Sequence, residues 1–94
     1  MTHISNWRDL IRVEGEYKEY MMVPLNGYQM GNLIDAIAQV RDTGDWYGEF
    51  CDIVAAAMRA GDIKELGSNH GRTFTLEQIE AREIRSDEQT QRGS

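Results

Sequence analysis

Two apolar runs with helical spacing, divided by three turn-forming residues, constrain this chain more than any other feature. In the first run, Met30, Leu33, Ile34, Ile37 and Val40 recur at i, i+3, i+4, i+7 and i+10, with Asn32, Asp35 and Gln39 opposite. That period gathers the apolar side chains on one stripe of an α-helix and predicts that the stripe faces the core. Asn26 and Gln29 have capping-box spacing, so the helix is expected to start at Asn26-Gly27. Asp42-Thr43-Gly44 interrupts the pattern. A second helix is then expected from about Asp45 to Ala60, with Trp46, Phe50, Ile53, Val54 and Ala57 on one face. Gly61 is expected to stop it as a left-handed residue. Two helices joined by so short a turn predict an antiparallel helical hairpin.

The flanking segments read as strands. Between Leu10 and Leu25, Ile11, Val13, Gly15 and Tyr17 alternate with Arg12, Glu14, Glu16 and Lys18, the period of a half-buried strand. Gly15 between glutamates is alternatively the turn of a hairpin or a bulge. Tyr20 to Val23 is strand-prone, and Pro24 ends regular pairing. Residues 1–10 are open between a short helical turn capped by Ser5 and a direct entry into a strand. After Gly61, Ile63–Leu66 and Arg72–Leu76 read as a hairpin around a Gly-Ser-Asn-His-Gly loop. Thr75 and Gln78 repeat the capping-box spacing, with Phe74 and Ile79 placed to staple the helix start. That helix is expected to run from Leu76 to about Arg85, although Leu76, Ile79 and Ile84 make a poor stripe. The fold class expected is therefore α+β: a central helical hairpin packed on a small antiparallel β element, with a short C-terminal helix. Residues 1–85 form one domain in this reading, and 86–94 a polar tail.

Composition removes several classes of function. The chain has 94 residues, 40% apolar and 28% charged, which is globular rather than disordered. No apolar run approaches the ~20 residues of a membrane span, and the N-terminus has no signal-peptide pattern. A cytoplasmic protein without membrane attachment is expected. One cysteine excludes an internal disulfide and a cysteine-based zinc cage. A core this small needs tight packing or self-association, so a homodimer is a candidate state. Sixteen acids against ten bases give a formal net charge of −6, which opposes direct binding to a nucleic-acid backbone.

Four places carry enough chemistry to be weighed as sites. The stretch Asp42–Asp52 holds four carboxylates, two adjacent aromatic residues, a phenylalanine and Cys51. Paired carboxylates serve acid–base chemistry when an apolar pocket raises one pKa, and clustered oxygens bind Mg²⁺ or Ca²⁺. The spacing favours a plainer arrangement, with acids at a helix start and Asp45, Glu49 and Asp52 on its solvated face. With Asp42 they form a ridge suited to a protein partner with a basic surface. Cys51 has an acidic neighbour and no histidine placed beside it, so it reads as a buried small hydrophobe rather than a nucleophile. The Gly67–Arg72 loop offers the alternative of binding a nucleotide-like anion through Asn69, His70 and Arg72, with Tyr17 or Trp46 as a stacking ring. Neither the P-loop nor the dinucleotide pattern accompanies it. Tyr17, Lys18 and Tyr20 alternate rings with a base, yet Glu14, Glu16 and Glu19 oppose a phosphate backbone. A DNA-binding regulator would read with the Asp45–Arg59 helix, whose exposed face is acidic. Met21, Met22, Met30 and Met58 are either core gap-fillers or an adaptable apolar surface.

In length, net charge and a helical hairpin with strands, the chain resembles the small acidic single-domain proteins that phages and prophages encode against host functions. Anti-CRISPR and anti-restriction proteins are among these. The resemblance implies stoichiometric binding rather than turnover, and no residue role is carried over from it. The function expected is thus a non-enzymatic interaction protein, a phage-type inhibitor of a host nuclease or defence complex. No cofactor and no metal site are expected.

Overall fold

The computed structural model describes residues 3–7, 10–15, 19–40, 45–69 and 71–83, with the backbone alone for 3–7. The architecture is α+β, with two small antiparallel sheets and three helices among the described residues. Strands β1 (His3–Trp7), β2 (Leu10–Glu14) and β3 (Tyr20–Pro24) form a sheet in that order. Of the two readings left open for the N-terminus, the strand is the one adopted. Val13 of β2 pairs with Ile4 on one side and Met21 on the other. The alternation is that of a half-buried sheet. Ile11, Val13, Met21 and Val23 are buried, while Leu10, Arg12, Glu14, Tyr20 and Met22 are half-buried. Gly15 donates its N–H to the Glu19 carbonyl at 2.7 Å, so Gly15 opens a hairpin rather than extending one strand.

Helix α1 (Gly27–Ile37) begins with the expected capping box: Gln29 N–H donates to Asn26 Oδ1 at 2.8 Å, and Asn26 N–H donates to Gln29 Oε1 at 3.0 Å. Its stripe differs from expectation. Only Leu33 is fully buried, Met30, Ile37 and Val40 are half-buried, and Ile34 is exposed. The helix also ends at Ile37, and Val40 lies beyond it. The reason is that, among the described residues, α1 packs chiefly on helix α2 (Trp46–Ala60), which covers a narrower sector than the sequence makes apolar.

Helix α2 is the pillar of the domain. It packs against α1, β2, β3 and helix α3 (Leu76–Glu80), and every residue from Phe50 to Met58 except Asp52 is buried. Asp45 occupies its N-cap position without a side-chain capping bond. The helix stops at Gly61, but Gly61 is not left-handed: its φ is −92°, and Asp62 takes the positive value of 56°. Glycine is needed there for space instead. A Cβ at Gly61 would stand 2.7 Å from Leu25 Cδ2 and 3.3 Å from the Pro24 carbonyl.

Strands β4 (Glu65–Gly67) and β5 (Thr73–Thr75) form the second hairpin, shorter than expected. Thr75 caps α3 through the expected box with Gln78, and Phe74 and Ile79 join one core with the residues of α2 and the first sheet. Helix α3 ends at Glu80, with Ala81 as its C-cap and Arg82 left-handed at a φ of 59°, well short of Arg85. The polar tail 86–94 lies outside the described residues. Met21 and Met58 are core residues, while Met22 and Met30 are half-buried.

Candidate functional site

The acidic ridge is built by the N-cap and first two turns of α2. Asp45 is exposed at the N-cap, while Glu49 and Asp52 are half-buried one and two turns on. Asp42 lies outside the described residues. Glu49 and Asp52 line a groove of about 720 Å³. Ala36, Gln39 and Val40 from the α1 end line one side of it; Ala55 and Ala56 of α2 supply small buried side chains; Glu80 and Arg82 lie opposite.

Arg82 was not among the residues that sequence reasoning singled out, yet it organises this site. Its guanidinium lies over the first turns of α2 and ion-pairs with Asp52 at 3.1 Å. Its carbonyl accepts a hydrogen bond from the Tyr47 hydroxyl. The pairing with Asp52 raises the Arg82 pKa further above its ordinary range. A Cβ at Gly48 would meet Asp45 Oδ2 at 2.8 Å and Arg82 Cζ at 3.2 Å, so glycine makes room for the crossing arginine. That glycine was the available signal: a glycine in a helix interior is costly, and room for a crossing group is one reason to keep it. A second clamp, Arg59 to Glu80 at 2.6 Å, ties α2 to α3 further along the groove. Both pairs are largely solvated, which limits each to about 0–1 kcal/mol of stability. They also set local charge: Arg82 pairs with Asp52 directly and is within electrostatic reach of Asp45.

Cys51 is buried, and loss of solvent pushes its thiol up to about 11, against the opposing pull of Tyr47 and Arg82. A thiol in that state is a poor nucleophile.

The Gly67–Arg72 loop has a structural task. Asn69 holds the edge of β3 from both ends: its Oδ1 accepts from Tyr20 N–H at 2.9 Å, and its own N–H donates to the Tyr20 carbonyl at 3.1 Å. Ser68 N–H donates to the Arg72 carbonyl and Gly71 N–H to the Ser68 carbonyl. These three amides are therefore engaged within the fold, where a phosphate-cradling loop would turn them toward its ligand. Arg72 is half-buried, and Trp46 stacks edge-on to Tyr47 at the start of α2, with ring centroids 5.7 Å apart. His70 and Tyr17 lie outside the described residues.

The ring of Tyr20 is covered by the Arg12 guanidinium 4.4 Å from its centroid, and Arg12 in turn pairs with Glu14 at 3.1 Å. Most of α2 is buried, and its accessible face carries Glu49, Asp52 and Arg59. Among the described residues no group of three or more His, Cys, Asp or Glu is arranged to hold a metal ion, and no helix is long and apolar enough to cross a membrane. Comparison with protein-family models, curated proteins and solved structures finds no match to the chain.

Proposed function

We propose that this chain acts by stoichiometric binding, docking a basic surface of a protein partner against the acidic lip of the α2 groove. What supports the reading is one observation: Glu49 and Asp52 line a groove that includes small apolar side chains, and Asp45 is exposed one turn before Glu49. A protruding Lys or Arg there would meet carboxylates, and its aliphatic stem would lie along Ala55, Ala56 and Val40. Since α2 is held by core packing, the acids are presented on a rigid support, which reduces the ordering cost of binding. The narrower form of the proposal is a phage-type inhibitor acting on a host nuclease or defence complex, whose nucleic-acid-binding surface would be the basic partner.

The test is affinity capture from host lysate at low and raised salt, comparing the natural chain with the Asp45→Lys/Glu49→Lys double variant. The expected result is a partner retained at low salt, weakened by salt and lost from the double variant. Retention by both proteins with the same salt dependence would remove the acidic lip from the account.

A further inference from the structure

The large apolar side chains exposed among the described residues are Tyr28 and Ile34, 81% and 59% exposed, and both belong to α1. At 100° per residue, Ile34 shares a stripe with Gly27, Gly31 and Ala38, all exposed and adjoining the half-buried Met30 and Ile37. The apolar sector of α1 is thus wider than the part that α2 covers. Gly31 has no internal reason to be glycine: a Cβ there would meet nothing within 4 Å, and its φ is not positive. A helix-interior glycine destabilises a helix relative to alanine.

We propose that this flank of α1 docks against the same flank of a second copy of the chain, with the two helices antiparallel about Gly31. The second copy is the occupant for which this face is self-complementary. Each copy carries a net charge of −6, and Asp35 is the one charged residue in Gly27–Ile37, so this face adds few like charges at the contact itself. The first turn of α1 contains no acidic residue to complement its N-terminal N–H groups. Pairing about Gly31 places residue 35 of one copy level with residue 27 of the other. Asp35 then meets the partner's first turn beside Tyr28, and Ile34 enters the space left by the partner's Gly27 and Gly31. Steric fit and charge are satisfied in one register, as an isologous two-fold contact requires. A helix of 11 residues is only about 16 Å long, so the contact falls below the roughly 800 Å² per partner of a standard stable interface. The dimer is therefore weak and dependent on concentration.

Sedimentation equilibrium from about ten micromolar to about one millimolar tests this, with Ile34→Lys, Gly31→Leu and, as a control, Glu65→Lys on exposed β4. Thermal melts confirm that each variant is folded. The natural chain and Glu65→Lys are expected to approach dimer mass. Ile34→Lys and Gly31→Leu are expected to weaken association by tenfold or more, although Ile34→Lys lowers the overall charge repulsion. A monomer at every concentration overturns the proposal, as does association that both α1 variants leave intact. A monomer that instead holds a different protein through Ile34 assigns the face elsewhere and also overturns it.

Discussion

Helices α1 and α2 carry the same kind of sequence pattern and occupy opposite situations. Each has apolar residues at helical spacing with polar residues opposite. In α2 the buried set runs almost unbroken from Phe50 to Met58, because sheet, α1 and α3 close around it. In α1 one residue, Leu33, is fully buried, and two large apolar side chains stand in solvent. The periodicity reports that a helix has an apolar side; it does not report how many neighbours will share that side. An apolar sector wider than its covered width is itself informative, because it marks where the domain has surface left to bury.

The largest expected effects break this comparison in the core. Phe50→Ala should cost about 3–5 kcal/mol and Leu33→Ala about 2–5, whereas Ile34→Ala, measured in dilute solution, should stay within ~0.5 kcal/mol. Urea denaturation of the three variants decides it, and a loss at Ile34 matching that at Leu33 would mean that α1 is buried on both flanks. The glycines extend the contrast with opposite signs. Gly61→Ala should destabilise by about 1–3 kcal/mol, since its Cβ has no room beside Leu25 and the Pro24 carbonyl. Gly31→Ala should stabilise the monomer by up to about 1 kcal/mol, since its Cβ meets nothing.

The smallest effect concerns pH. Burial holds the Cys51 proton to about pH 11, whereas the unfolded thiol releases it near its ordinary value of 9.0. The folded pKa is the higher one, so the contribution is fully present below pH 9.0 and is lost as pH rises toward about 11. Denaturation midpoints of the natural chain and Cys51→Ala, compared across that window, should show a steeper alkaline decline in the natural chain. Parallel curves would place the thiol in contact with solvent.

Much of the fold was legible because its signals are local. Both capping boxes follow from short-range stereochemistry and appear where the spacing puts them, and the expected hairpins form, the second one shorter than its segments predict. The misreadings were tertiary. Gly61 was expected to supply a positive φ, but its role is to admit Leu25, and the left-handed conformation passes to Asp62. Ile34 matched the stripe, but α2 does not reach around to it. In the candidate site, the acids of α2 were legible as a face. The residue that matches one of them, Arg82, stands 30 positions away from Asp52 and past the end of a five-residue helix. Only Gly48 hinted that something crosses there. Asn69 was weighed as a ligand residue because its loop is rich in glycine, yet it serves the edge of a strand 49 positions earlier. No local pattern encodes that pairing.

The central claim is that α1 presents an apolar flank which a second copy covers. Backbone amide NMR spectra recorded over a dilution series test it residue by residue. The account predicts concentration-dependent shifts concentrated at Gly27, Tyr28, Gly31, Ile34 and Asp35, with α2 amides from Phe50 to Met58 unmoved. Spectra independent of concentration, or shifts gathered along Asp45, Glu49 and Asp52 instead, would contradict it.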